Sequence, residues 1–548
     1  MAKHEEVALL EVPMNRRTLG TVLRLQAERQ PDKPFLLFEG TSTSYAEANA
    51  LASRVALNLH RQGIRKGDHV AVFMDNHPDM LWTIFGLAVL GAVTIPLNTA
   101  AKGEQLVYFL RQSRASAIVA DAHLLANVSP HLPRLPDLAR IFVRGASEAQ
   151  LRDDIGSGGR HATDFAALIG PADSDEALDP VVFSDVQLIM YTSGTTGPSK
   201  GVLCTHAQEQ TGGLFMADQM AYRDSDILYT CLPLFHANAL RVTVNAALWA
   251  GATVALARRF SARQFWDDIR SSGATQFNAL GAMANIILRQ PESPDDRAHD
   301  VRLCNVVPAL PPEVAEQFSR RYGVAITSLY GSTEACCPLF AVDVPAHKGA
   351  SCGRLVDPFE IRVADDDDFE LPHGQVGELL IRCNEPWYIF QGYFDMPGET
   401  LATLRNGWFH SGDRGYRDED GFFYFVDRKK ESIRRRGENI SSYEVELAIS
   451  QHPAILEVAV VPYPSDLGED EVLAFVVRRQ ETTVNEDELI AYCEEHMAKF
   501  MVPRYVCFID ELPKTPSEKI EKYKLRQQAE TDPGQLWDRL AYSTQDRK

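Results

Sequence analysis

No two of the nine cysteines stand in a CxxC spacing, and Cys336 and Cys337 are adjacent, which suits neither a zinc knuckle nor a redox pair. An odd, scattered set of this kind reads as reduced thiols of a cytoplasmic protein. The first residues, MAKHEEVALLEVPMNRR, lack the apolar stretch of a secretion signal. Basic residues are in deficit, 55 against 75 acidic, for a formal charge of −20. A surface of that sign repels a phosphate backbone and argues against nucleic acid as a partner. Internal repeats and low-complexity tracts are lacking. Long apolar runs are lacking too, apart from Met80–Pro96, which falls short of the roughly 20 residues that span a bilayer. Asn76 and Pro78 mark a helix start there, Gly91 a break and VTIPL a buried strand, so no integral membrane segment is expected.

What is present is enough apolar residue, 45% of 548, for more than one hydrophobic core, so two or more domains are expected. Strand-like runs at Asp68–Met74, Ala115–Ala120 and Gln187–Tyr191 alternate with helical runs such as Tyr45–Gln62. That alternation predicts an α/β fold, with parallel sheets covered by helices. The four aspartates Asp365–Asp368 fit no EF-hand spacing and read as a solvated turn between the strands FEIRVA and GELLIR. Near residue 428 the composition changes. Arg428, Lys429, Lys430 and Arg434–Arg436 form a basic strip in an acidic chain, and the last hundred or so residues read as a small α+β unit. The predicted domains are therefore 1–429 and 430–548.

The segment Tyr191–Gly201, YTSGTTGPSKG, follows a strand and is dense in hydroxyls and glycine, with one lysine. Glycines let backbone N–H groups approach an anion, the hydroxyls add donors and Lys200 adds positive charge, which together make a phosphate-handling loop. Its spacing is not that of the P-loop, GxxxxGK[ST]. The string resembles the signature loop of the adenylate-forming superfamily. That superfamily contains acyl-CoA synthetases, adenylation domains of peptide synthetases and firefly-type luciferases. Further motifs follow in the family's order from about residue 190 to residue 526. The resemblance implies a large N-terminal domain of helix-covered sheets and a small, mobile α+β C-terminal domain.

It also implies roles. ATP would meet Thr192, Ser193, Gly194, Thr195, Thr196 and Lys200 through its phosphates. In Tyr330–Glu334, YGSTE, Glu334 would take Mg²⁺, Thr333 the phosphate and Tyr330 the adenine side. A carboxylate beside a hydroxyl suits a hard cation bridged to phosphate. Asp413 of WFHSGDRG would accept from both ribose hydroxyls, a strong charge-assisted arrangement. Arg428 of YFVDR would contact ribose and phosphate, and Lys430 would be the hinge. Gly437, Glu438 and Asn439 of GENISSYEVE belong to the segment used with coenzyme A, with Asn439 standing where some relatives carry arginine. Arg434–Arg436 would help to hold the phosphates of coenzyme A. In the closing motif PKTPSEKIEKYKLR the catalytic lysine is Lys519, preceded by Glu518 where most relatives have glycine. As in several relatives, acetylation of Lys519 would switch off the first step.

His236 of LFHANA, Asn278 and Gly281 of FNALGAM, and Ala309 of VVPALPP would line the acid pocket, and VVPALPP replaces the usual glycine-rich wall. These segments are mostly small and apolar, which suits a nonpolar, bulky or cyclic carboxylic acid. The strings FFYFVDRKKESIRRRGENIS and MAKFMVP are similar to those of bacterial carnitine and crotonobetaine CoA ligases. The expected activity is that of an acid–CoA ligase using ATP, Mg²⁺ and coenzyme A, with a homodimer left open. A loader of a carrier protein, a luciferase-like oxygenase and a non-catalytic nucleotide binder are the alternatives.

Overall fold

The computed structural model describes residues 9–147, 161–172, 177–192, 198–428, 432–465, 468–479, 482–513 and 520–542, without the side chains of residues 161, 427, 428, 432, 439, 443 and 542. Contacts divide the chain into two compact units. The first comprises Met1–Thr99, Leu110–Met190 and Gly201–Asp427. The second gathers Arg428–Lys548 with two short segments, Ala100–Phe109 and Tyr191–Lys200. The expected boundary residue, Lys430, lies outside the described residues.

The first unit is built on two large sheets. In the nine-stranded sheet, Leu303–Val307 lies between Gln276–Leu280 and Ala325–Ser332. These three strands run parallel, with Asn278 in register with Asn305 and Asn305 with Thr327. The seven-stranded sheet is centred on His69–Phe73, paired in parallel with Val93–Pro96 and Ala117–Asp121. Their continuous apolar runs are those of strands covered on both faces. A four-stranded antiparallel sheet, Phe359–Ala364, Gly377–Cys383, Phe409–Arg417 and Phe423–Arg428, completes the unit.

Local signals account for the element ends. Helix Tyr45–Arg61 starts at a capping box in which Ser44 and Glu47 satisfy each other's backbone N–H. The apolar run forms helix Pro78–Leu90, stopped by Gly91 at φ +80°, followed by strand Val93–Pro96. No described helix is long and apolar enough to cross a membrane. The aspartate run is a turn, in which Asp365 Oδ1 accepts from the backbone N–H groups of Asp367 and Phe369 at 3.0 and 2.9 Å.

One core residue makes the first unit sensitive to acid. His206, the first residue of helix His206–Gln219, is fully buried. Its Nδ1 accepts from Leu19 N at 3.4 Å and its Nε2 has no protein partner. Burial lowers its pKa to about 4. The unfolded chain therefore takes up a proton near pH 6.5 that the folded chain refuses until about pH 4. Stability from this group is present above pH 6.5 and is lost as pH falls. Between pH 7 and pH 5 the loss is expected to be about 2 kcal/mol. Urea unfolding at both pH values checks this, with His206→Gln flattening the dependence.

The second unit has a four-stranded sheet ordered Ile455–Pro464, Asp470–Arg478, Tyr505–Phe508, Trp537–Asp538. One apolar layer includes Val458, Val460, Val472, Ala474 and Val476, and the other Ala459, Val461, Leu473 and Phe475. Helices Ser442–Ser450 and Glu486–His496 supply Val445, Ile449, Leu489 and Ile490 to the first layer. The hairpin Ser432–Arg435/Glu438–Ser441 turns at Arg436 and Gly437, both with positive φ.

The basic strip here divides, which corrects the expectation that Arg434–Arg436 act together on phosphates. Arg435 is 3% exposed and its Nε lies 2.5 Å from Glu471 Oε2. Its Nη1 donates to the carbonyls of Phe500 and Val502. Burial lowers its pKa to about 10 despite Glu471. Arg435 is a structural cation, whereas Arg436 is exposed.

Candidate active site

The YGSTE segment sits at a sharp reversal. Strand Ala325–Ser332 pairs antiparallel with Cys336–Ala341, with a register shift between Tyr330 and Ser332. The reversal needs a residue without a side chain, because a Cβ on Gly331 would collide with the Cys336 carbonyl. The Ser332 hydroxyl accepts from Ala335 N at 3.0 Å and closes the turn.

Tyr330 and Asp413, 83 residues apart, are brought together: the phenol donates to Asp413 Oδ2 at 2.7 Å. Asp413 is only 5% exposed. The backbone that presents it is pinned, Gly412 N donating to Glu378 Oε1 at 3.0 Å and Asp413 N to Ser411 Oγ at 3.1 Å. The Ser411 hydroxyl in turn donates to the Leu379 carbonyl at 2.6 Å. Gly412 has φ +71°, a conformation that favours glycine before the aspartate.

Glu334 follows on the same hairpin and is 8% exposed. Its Oε1 accepts from the Tyr393 hydroxyl at 3.1 Å, and its carbonyl accepts from Phe390 N at 2.8 Å. Burial, with Glu334 alongside, pushes the Tyr393 phenol up, so it remains a proton donor. Tyr393 is not legible in the sequence as a site residue; its place in the sequence GYFD carries no signal for a partner 59 residues away. An oriented carboxylate next to the Thr333 hydroxyl is an all-oxygen donor set. It fits Mg²⁺, which takes one or two carboxylates together with phosphate oxygens.

The segments expected to line an acid pocket also meet. Asn278 is 3% exposed and donates from Nδ2 to Thr243 Oγ1 at 2.7 Å. Thr243 belongs to a π-helix, Asn238–Asn245, that begins two residues after His236. The His236 ring lies against Phe235, centroids 4.7 Å apart. Gly281 opens helix Gly281–Leu288 and faces Pro308 and Leu310, so the FNALGAM and VVPALPP strings are neighbours. Ala309 is half-buried between those two residues.

Of the segment expected to handle phosphate, Ser193, Gly194, Thr195 and Thr196 lie outside the described residues, as does Lys519. Thr192 ends strand Val186–Thr192, and Lys200 opens strand Lys200–Thr205. Arg428 ends its strand. Within the second unit, the Ser199 hydroxyl and N–H both donate to Glu444 Oε1, and Gln105 Nε2 donates to Oε2 at 2.7 Å. Burial raises the Glu444 pKa, and these donors oppose the rise. Gly437 N donates to Glu469 Oε2 at 3.3 Å. Glu438 is half-buried, in register with Arg435, and Asn439 is in register with Arg434.

The chain is 35% identical over 505 residues to the crotonobetaine/carnitine–CoA ligase of Salmonella typhimurium, covering 90% of this chain and 96% of that protein. Among solved structures, the benzoate CoA ligase of Burkholderia xenovorans superimposes with a TM-score of 0.67 at 26% identity, over 93% of this chain and 99% of that one. The o-succinylbenzoate CoA synthetase of Bacillus subtilis shares the fold, with a TM-score of 0.76 at 24% identity over 92% and 98% of the two chains. The model of the AMP-binding enzyme matches residues 23–394, and that of the AMP-binding enzyme C-terminal domain matches residues 444–519. On these matches the chain belongs to the AMP-binding enzyme family.

Proposed function

We propose that this AMP-forming acid–CoA ligase acts on a nonpolar, bulky or cyclic carboxylic acid. One oxygen of the carboxylate attacks the α-phosphorus of ATP, the α–β anhydride bond breaks and pyrophosphate leaves. The thiolate of coenzyme A then attacks the acyl carbon and AMP leaves. The protein has to bring two anions together and neutralise them. Asp413 and Arg428 hold the ribose, and Tyr330 flanks the base. Thr333 and Glu334 hold the phosphate end, where Mg²⁺ supplies additional positive charge when bound. Thr192, Ser193, Gly194, Thr195, Thr196 and Lys200 steady the pyrophosphate, and Lys519 neutralises the carboxylate and α-phosphate oxygens. The domains divide at Lys430, a hinge about which the small domain turns between steps. That turn brings Gly437, Glu438 and Asn439 to the thioester reaction and keeps water from the labile adenylate.

The observation that carries the reading is the 2.7 Å Tyr330–Asp413 contact with Glu334 on the same hairpin. Nucleoside and phosphate groups then have one rigid support. His236, Asn278, Gly281 and Ala309 line the acid pocket, whose small apolar neighbours favour an uncharged acid body. The identity to the Salmonella ligase favours a second reading, a quaternary-ammonium acid of the carnitine type.

Mass spectrometry of enzyme with ATP, Mg²⁺ and a panel of acids, with and without coenzyme A, decides. Acyl-CoA from alicyclic, aryl or steroid side-chain acids is the expected result. Product from carnitine or crotonobetaine alone replaces it with the second reading. Acyl-adenylate that persists despite coenzyme A instead makes the protein a loader of a carrier protein.

A further inference from the structure

We infer that Arg241, held by Glu209 and assisted by Gln208, is a positioning residue for the Ser332–Glu334 loop; this rests on the roles proposed above for Thr333 and Glu334. Arg241 lies on the π-helix Asn238–Asn245 and is 1% exposed. Its Nη2 is 2.5 Å from Glu209 Oε1, and Glu209 is itself wholly buried on helix His206–Gln219. The same guanidinium reaches the loop, with Nη1 donating to the Ser332 carbonyl at 3.2 Å and Nη2 to that of Thr333 at 3.4 Å. Gln208 Nε2 donates to the carbonyls of Thr333 and Glu334 at 2.9 and 3.1 Å. Three successive carbonyls of the loop therefore accept from buried side chains of two other elements.

An ion pair in this position is an expensive way to fill a core. Two apolar side chains of the same size commonly serve stability as well or better. Here Arg241 Nε and Glu209 Oε2 have no protein partner, so the pair is not at its most stable arrangement. The packing also gives way to it. A Cβ on Gly212 would collide with Arg241 Cδ and come within 2.8 Å of Cys336 Sγ, and one on Gly213 would meet Asn245 Cβ at 2.6 Å. Glu209 cancels the charge of Arg241 and leaves a planar fork of donors pointed at the loop. Fixing those peptide planes fixes the directions in which the Thr333 and Glu334 side chains leave the backbone. The pair and the glutamine thereby set the phosphate end of the site without touching a substrate. The π-helix carries Thr243 on the Asn278 side, so the same element serves the proposed acid-pocket wall and the Ser332–Glu334 loop.

The test compares Glu209→Met/Arg241→Met with the parent enzyme. The double variant removes both charges at similar volume, and its melting temperature is expected to stay within about 5 °C. Calorimetric affinity for MgATP is expected to fall about tenfold and the adenylation kcat about 10- to 100-fold, while the KM for the acid stays within about twofold. Arg241→Lys keeps the charge beside Glu209 but cannot fork onto two carbonyls, and is expected to show the same pattern if the double variant fails to fold. A folded variant of either kind with parental MgATP affinity and kcat overturns the inference. Glu334→Gln is measured in parallel. If it lowers MgATP affinity while the Arg241 variants do not, only the inference fails; if it has no effect, the proposed role of the hairpin fails as well.

Discussion

Lys519→Ala is expected to slow acid-dependent adenylate formation by about 100- to 1000-fold, the usual loss when one group aimed at developing charge is removed. Thioester formation from supplied acyl-adenylate and coenzyme A is expected to stay within about threefold of the parent, since the proposed turn of the small domain withdraws Lys519 before that step. The two steps differ in what must be neutralised. Attack on phosphorus brings a carboxylate against a triphosphate, and a cation between them lowers that barrier selectively. Attack of a thiolate on the acyl carbon expels AMP and, in the proposed cycle, calls on Gly437–Asn439 instead. Pyrophosphate exchange and single-turnover thioester assays on one preparation separate the steps, and equal loss in both removes Lys519 from the catalytic role.

Asp413→Asn is the second large expectation. The substitution keeps the shape and removes one buried charge, so in the proposed role the two ribose hydroxyls lose charge-assisted acceptors. The KM for ATP is expected to rise about 10- to 100-fold, with kcat changing less. Tyr330→Phe serves as the control. It deletes only the donor 2.7 Å from Asp413 Oδ2 and is expected to raise the KM a few-fold, about 2- to 5-fold. A fall in kcat at constant KM would instead place Asp413 with the reacting phosphate rather than with the ribose.

Much of this molecule is legible in its amino-acid sequence, for a physical reason. Element ends are readable where the signal is local, as in the Ser44–Glu47 box and the Pro78…Gly91 punctuation. The site strings are readable because the family's chemistry is written in short contiguous segments, YGSTE above all. What cannot be read depends on partners far along the chain. Tyr393 reaches Glu334 through the tertiary fold, and helix 206–219 gives no hint that Glu209 finds Arg241. Charged residues inside NALRVTVNAALWA and THAQEQTGGLFM are the available signal, since an arginine in an apolar helical run must be paired. The basic strip misleads for a different reason. On the strand Ser432–Arg435, Arg435 shares parity with Ile433, which is fully buried, and alternation along a strand sends both side chains inward. Parity outweighs charge clustering there.

The π-helix has an evolutionary consequence. A π-turn is an α-helix carrying one extra residue, and removing one residue between 238 and 245 would restore the α register. Side chains within the turn would then shift by about 100° relative to their neighbours, while the helix beyond it kept its facing. Arg241 would leave the loop carbonyls, and a different side chain would take its place above Ser332 and Thr333. One codon lost or gained is thus enough to re-aim this wall, without altering a single motif residue. Because Arg241 is inferred to position the Ser332–Glu334 loop, an indel in this one turn would reach that loop and the Thr243–Asn278 contact together.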